Sequence, residues 1–423
     1  MSHHLRHQTR GRTVVGCALL AVALGAGATA CGSDDPSSAA PYDASDHISF
    51  NGPVEAGQKA DPDEPLEILS EDADGRITDV TAVDAAGRRV AGELSADGLR
   101  WHSTAPLAAG ARYTIRVSTE NGDGERGRKV LAFETGEPDE QKRLKVTFGP
   151  GAGTYGVGQP LTAELSRPIE DPAQRRVVER SLKVESTPAV EGAWYWVDDE
   201  KLHYRPKEYW PAQATIRATS ALHGIKIGDR LWGARVKPLE IRTGERVIAV
   251  TDAASHTMTV YRNDEAVREI PVTAGKPGFE TRNGVKVVLG KESFVRMRSS
   301  TVGIAEGSSE SYDLPVHFAT RVTWSGEYVH AAPWSAGSHG YANVSHGCVG
   351  MSTANAKWFF DTVREGDLVE VVNSDGDSME PFGNGFGDWN VDWGEWRSGS
   401  ALTGNLPNLV ASGESARLRP GSA

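Results

Sequence analysis

From about Asp46 to Gly244 the chain alternates short strand-type segments with turn residues, roughly every 8 to 12 positions. Ile77-Thr78-Asp79-Val80-Thr81-Ala82-Val83 is followed by the turn Ala85-Ala86-Gly87, and Tyr113-Thr114-Ile115-Arg116-Val117 returns later. Punctuation this frequent leaves no room for long helices. Alternating apolar and polar residues bury one face of each strand, and sheets of that kind must pack on one another as β-sandwiches. Two blocks of similar size result, 46–136 and 137–244. Trp101-His102-Ser103-Thr104-Ala105-Pro106 with Tyr113–Arg116 has a loose echo in His203-Tyr204-Arg205-Pro206 with Ala214–Arg217. The echo fits two related modules in tandem, and equally the patterns that all β-sandwiches share. The fold class expected is mainly β.

A third block, 245–373, opens with Val247–Val250, Thr257–Tyr261 and, after the Asn263-Asp264 turn, Val267–Val272, which reads as a hairpin. One helix is predicted, Thr353–Val363, with Ser352 as its cap and Trp358, Phe359 and Thr362 on one face. Val369–Val372 closes the block as a strand. Residues 374–402 hold Phe382, Phe386, Trp389, Trp393 and Trp396. Clustered aromatics of this kind are expected to pack, fixing the third block against the second module, rather than to stack on a ligand. Residues 403–423 read as a disordered tail.

The N-terminus carries an address. Arg6, Arg10 and Arg12 precede an apolar run from Thr13 to about Ala28, a signal sequence over 1–30 and too short for a comfortable span. It ends Ala28-Thr29-Ala30-Cys31, which resembles the lipobox of bacterial lipoproteins and also fits an ordinary A-x-A cleavage site. Lipidation of Cys31 is the expectation, with 31–45 as a Pro- and Ser-rich tether and the protein anchored to a membrane, facing outward. The charge of the full chain is −12, from 45 basic and 57 acidic residues. A surface of that sign argues against nucleic acid as a partner. Of the three cysteines, Cys17 leaves with the signal and Cys31 is committed to lipid, so Cys348 stands alone. One thiol makes no disulfide; it is a buried filler or a nucleophile.

Three of the twelve histidines, His330, His339 and His346, surround Cys348 in sequence. A thiol needs a base to become a nucleophile, and an imidazole can take its proton and return it to a leaving amine. His330 ends the strand-like Glu327-Tyr328-Val329, eighteen residues before Cys348, far enough for a loop to bring the two together. His346, two residues from Cys348, is expected to face away from it and reads as a positioning residue. Gly347 allows unusual dihedrals, so the amides of Gly347 and Cys348 can converge on an oxyanion. Zinc ligation is a competing reading, but the spacing H-x8-H-x6-H-x-C matches no compact zinc pattern. A buried structural cysteine is another.

Ser345-His346-Gly347-Cys348 with an upstream histidine resembles the L,D-transpeptidase family, with its YkuD-like catalytic domain, in the multidomain type that carries two immunoglobulin-like modules and a Trp-rich C-terminal piece. Pro277–Gly284, Met297–Thr301 and Tyr328–Ser335 support the resemblance. It implies a cysteine acyltransferase that forms 3→3 cross-links between peptidoglycan stem peptides, with carbapenems as covalent inhibitors and no metal or other cofactor. Cys348 is then the nucleophile, His330 the base, and Gly347 and Cys348 the oxyanion donors. Met297 and Tyr312 fall in a flap over the substrate, with Ser345, Asn343 and Trp334 as further contacts. Ala331 stands where some relatives have serine, so a backbone carbonyl must orient His330. Gly350 stands where many relatives carry Asn or Arg, and Ser352 or Asn343 is expected to take over that contact. Hydrolysis of stem tetrapeptides by an L,D-carboxypeptidase and a non-catalytic wall-binding lipoprotein are the alternatives.

Overall fold

The computed structural model describes residues 40–53, 57–72 and 74–403. The signal sequence, Cys31, the tether up to residue 39 and the tail from 404 lie outside the described residues. Three β-rich units follow one another, as the turn spacing requires. In the first, Arg76–Asp84, Arg112–Glu120 and Arg126–Glu134 form one sheet, packed on a second of four short strands. Period-two alternation puts Tyr113, Ile115 and Val117 on the inner face with Leu131 and Phe133 opposite. Tyr42–Asp43, assigned to the tether from sequence, instead pairs in parallel with Gly127–Arg128, and the Tyr42 hydroxyl hydrogen-bonds Thr119 at 3.2 Å. Backbone pairing ties down a segment whose polar composition read as free.

The second unit holds two four-stranded sheets around Trp194, Leu202, Tyr204, Trp210, Ile216 and Ile241. It also contains a helix missing from the sequence reading, α1 (Pro172–Ser181). Its signal was local: Asp171 accepts a hydrogen bond from Gln174 N at 2.8 Å and proline occupies the first helical turn.

In the third unit β1 (Val247–Asp252), β2 (Thr257–Arg262), β3 (Glu265–Pro271), β4 (Gly284–Val287) and β9 (Leu368–Val372) make a sheet ordered β3-β2-β1-β9-β4. A second sheet runs β5 (Gly290–Arg298), β6 (Asp313–Arg321), β7 (Tyr328–Ala331), β8 (Val349–Met351), with β7 and β8 parallel. Helix α2 (Thr353–Thr362) is capped by Ser352, whose hydroxyl accepts from Asn355 N at 3.3 Å. Ala356, Phe359 and Val363 form its fully buried stripe, and Trp358 is only partly covered, beneath Arg268.

The units are joined closely. Gly156 N and Gly158 N donate to the carbonyls of Glu365 and Gly366 at 2.8 and 2.9 Å. A Cβ at Gly156 would sit 2.1 Å from Asp367 N, so this approach requires glycine. The aromatic tail packs, chiefly on the second module. Trp389 Nε1 donates to Gly158 O (2.8 Å) and Trp396 Nε1 to Ala193 O (3.0 Å). The Arg205 guanidinium lies over the rings of Trp389, Trp393 and Trp396, at 5.0, 5.4 and 4.6 Å. Asn390 then hydrogen-bonds both Val285 N and Val285 O of β4, so the tail bridges the second module and the third unit. The helix α3 (Trp393–Ser398), capped by Asp392, presents Trp393 and Trp396 to the second module.

Candidate active site

The β7–β8 pair builds the site. Parallel register sets His330 beside Gly350, and Cys348 lies two residues before Gly350. Side chains two apart on a strand share a face, so Cys348 and His330 project from neighbouring strands, about 4.8 Å apart, to the same side. Both line one cavity of about 410 Å³, with Met297, Tyr312 and Trp334 across from them. A second cavity of about 540 Å³ meets the first at Cys348, His346 and Tyr312. Cys348 is thus reachable from two sides.

His330 is 5% exposed. Its Nδ1 lies 2.8 Å from Ala331 O, which fixes the proton on Nδ1 and leaves Nε2 as the basic nitrogen. The Trp334 ring stacks along the imidazole, with centroids 5.9 Å apart at 29°. Burial lowers the His330 pKa to about 4, against the opposing effect of the Ala331 carbonyl. The Cys348 thiol is open only towards the cavities, and burial pushes its pKa up to about 12. Its Sγ–H points at Gly326 O, 3.6 Å away. The resting pair is therefore a neutral thiol and a neutral imidazole. A sulfur in this state can act as a nucleophile only if its proton is transferred as it attacks.

His346, two residues before Cys348, lines both cavities with it, because the segment bends at Gly347 instead of running extended, but its imidazole is engaged elsewhere. Its Nε2 lies 2.7 Å from Glu310 Oε2, its ring packs on Phe279 and Tyr312, and Lys276 holds the same carboxylate. His339 hydrogen-bonds Ser335 Oγ at 3.2 Å. The three histidines so have three separate partners. Gly347 adopts φ +112°, a region that favours glycine. Its N–H donates to Ser345 Oγ at 3.1 Å, so in this structure that amide is occupied, contrary to the expectation that it faces an oxyanion. Ser345 in turn donates to Cys348 O (2.6 Å), and Thr281 Oγ1 to Gly347 O (2.8 Å). The side chain of Ser345 lines the cavity, but its hydroxyl serves the turn that presents Cys348.

The family described as YkuD, the L,D-transpeptidase catalytic domain, matches residues 246–371, and that described as Big_10, a bacterial Ig domain, matches 57–226. L,D-transpeptidase 2 of Mycobacterium tuberculosis (strain CDC 1551 / Oshkosh) is 37% identical over 339 residues, covering 80% of this chain and 81% of the relative. The chain belongs to the L,D-transpeptidase family. Two solved structures are similar over 54% of this chain and 99% of their own: an L,D-transpeptidase from Mycobacterium smegmatis (40% identical, TM-score 0.46), and LD transpeptidase LdtMt1 in complex with imipenem (38%, 0.47).

Within this L,D-transpeptidase fold the remaining expected contacts divide. Met297, at the end of β5, and Tyr312, just before β6, line the cavity from the flap, the long β5–β6 hairpin. Burial, and then the charge of Cys348, raises the Tyr312 pKa, which places its phenol in the sulfur's field. Asn343 does not line the cavity. It accepts from Ala274 N (2.9 Å), donates to Ala253 O (2.9 Å) and bonds His256, bracing the loop from behind. Ser352 caps α2. Neither replaces a side chain at Gly350, where a Cβ would meet Ala332 Cβ at 2.9 Å and Thr273 Cγ2 at 3.0 Å. The cavity wall is closed there by its neighbours.

A charged cluster beside the thiol went unseen in the sequence. Lys286 on β4 is 1% exposed, and Glu327, adjacent to Gly326, is 7% exposed. Their only trace is a charge inside each of two apolar strand segments, Val285–Val288 and Glu327–Val329.

Proposed function

We propose that this L,D-transpeptidase acts by a cysteine acyl-enzyme mechanism on peptidoglycan stem peptides, forming 3→3 cross-links. The placement of Cys348 and His330 on one face of parallel neighbours, with Nε2 left basic by the Ala331 carbonyl, is the observation that carries this reading. Sγ attacks the carbonyl preceding a terminal D-Ala while its proton passes to His330 Nε2. The N–H of Cys348 stabilises the oxyanion, and His330 protonates the departing D-Ala amine. The acceptor stem's amine then attacks the thioester and gives its proton to His330, the C–S bond breaks, and the released Cys348 sulfur takes that proton back as the thiol. Both amines must reach the same imidazole, so leaving group and acceptor use the His330-lined cavity in turn, and the retained acyl chain lies in the second. Two cavities meeting at one sulfur favour transfer over hydrolysis. Carbapenems acylate the same sulfur on this reading.

The signal sequence and lipobox-like Cys31 support an extracytoplasmic, membrane-anchored protein facing the cell wall, with the two modules as spacers. Purified tetrapeptide stems with and without an amine acceptor test the function. Cross-linked dimer that depends on acceptor supports transfer. Free tripeptide in equal amount either way would make the enzyme an L,D-carboxypeptidase, and no product with either would leave a wall-binding lipoprotein.

A further inference from the structure

Four charged side chains, Lys286, Glu327, Arg282 and Glu380, meet on the far side of the nucleophile from its base. Glu327 Oε1 accepts from Arg282 Nη1 at 2.8 Å, and Arg282 Nε lies 3.3 Å from Glu380. Lys286 Nζ is 2.8 Å from Glu327 Oε2, an ion pair by distance though off the hydrogen-bond angle, and donates to Arg282 O at 2.7 Å. A lysine this buried is rare in a small β-domain, and an ion pair replaced by apolar residues generally costs such a domain little. Its position suggests what retains it. Glu327 directly follows Gly326, whose carbonyl receives the thiol proton, and Glu327 and Arg282 line the second cavity together with Cys348.

We propose that Lys286 and Glu327 are positioning residues for the Cys348 nucleophile: their ion pair, buttressed by Arg282, fixes the turn that holds the resting thiol, and the two charges act on the sulfur in opposition, Lys286 favouring the attacking thiolate and Glu327 resisting it. Both charges enter the electrostatics of Cys348 with those signs. Burial lowers the Lys286 pKa, and the Glu327 carboxylate 2.8 Å away opposes that lowering. The other titratable groups around the thiol are His330 and Tyr328 from β7, His346 from its own segment, and Tyr312 from the flap, with Glu310 reached through His346 and Glu280 and Asp377 at the rim of the second cavity.

The proposal rests on Cys348 being the acylated sulfur, which the mass of the wild-type enzyme after imipenem decides separately. Its own test is the rate of Cys348 alkylation by iodoacetamide at pH 8, and its pH profile, in the full chain. Glu327→Gln should react about tenfold faster and Lys286→Met about tenfold slower, with Lys286→Arg close to wild type and the double variant between the singles. Loosening of the turn alone would speed both single variants. Acceleration of both, or rates within twofold of wild type in both, overturns the proposal. If Lys286→Met does not fold, Glu327→Gln is read against Glu327→Asp, which keeps the charge but shortens the arm: acceleration in Gln with Asp within twofold of wild type supports the proposal, and acceleration in both or in neither overturns it.

Discussion

The neutral state of the resting pair has a measurable consequence in the pH dependence of the thiol. With the Cys348 pKa at about 12, the thiolate fraction at pH 7 is about 10⁻⁵, against about 10⁻² for a thiol at the ordinary value of 9.0. Iodoacetamide is attacked at its CH2–I carbon and forms no tetrahedral oxyanion, so the site gives it no carbonyl activation and its rate follows that fraction. Its rate with the native enzyme at pH 7 should be about a thousandfold below that of an unperturbed thiol, rising about tenfold per pH unit past pH 9 with no plateau. An acylating β-lactam behaves differently, because its carbonyl draws the sulfur forward while His330 takes the proton. That rate should rise as His330 loses its own proton near pH 4 and then stay level through neutrality. Stopped-flow acylation and alkylation over pH 3–10 give both curves. An alkylation plateau with a midpoint below pH 8 would reveal a preformed thiolate–imidazolium pair and refute the argument from burial.

Other expectations follow from the same coordinates. Gly350→Asn should cost about 1–3 kcal/mol by overpacking Ala332 and Thr273 and should slow imipenem acylation beside His330; unchanged melting and acylation would show that the wall yields. Trp396→Ala empties a fully buried site and removes one face of the Arg205 platform, a loss of about 3–5 kcal/mol. Limited proteolysis should then cut after residue 373 with the domains otherwise intact, and resistance equal to wild type would contradict the clamp. Asp367 is fully buried and its pKa is raised to about 7, so the folded state holds a proton that the unfolded state releases near 3.8, and stability falls as pH rises through that window. Asp367→Asn should therefore stabilise more at pH 8 than at pH 5, by roughly 2 kcal/mol of difference in urea unfolding; an equal gain at both would place the cost elsewhere.

The sequence made the reactive pair legible because chemistry and topology coincide there. A lone thiol, a strand-ending histidine and the spacing between them suffice to expect a loop that brings the two together, and both residues line one cavity. The two sandwiches were legible from alternation alone, since period two holds in segments such as Arg112–Glu120. What stayed hidden depends on contacts distant in sequence. Lys286 and Glu327, 41 positions apart, read as ordinary solvated charges until folding places one against the other. Asn343 looked like a substrate contact because it neighbours Ser345, yet three hydrogen bonds commit it to the loop's back face. The Gly347 amide was misread for a related reason: only the folded turn shows the Ser345 hydroxyl already holding it. The tail's aromatics announced packing, but which module received them depended on Arg205, a guanidinium buried in the strand Lys201–Pro206.

The central claim is that Cys348 carries the acyl group and His330 moves the protons. Intact-protein mass spectrometry of the enzyme mixed with a tetrapeptide stem, without acceptor, tests it most directly. Wild type should gain one tripeptide acyl mass, mapped to Cys348, which disappears when an amine is added. His330→Asn should acylate at least a hundredfold more slowly and Cys348→Ala not at all. An adduct that survives in Cys348→Ala, or forms at the wild-type rate without His330, would contradict the account.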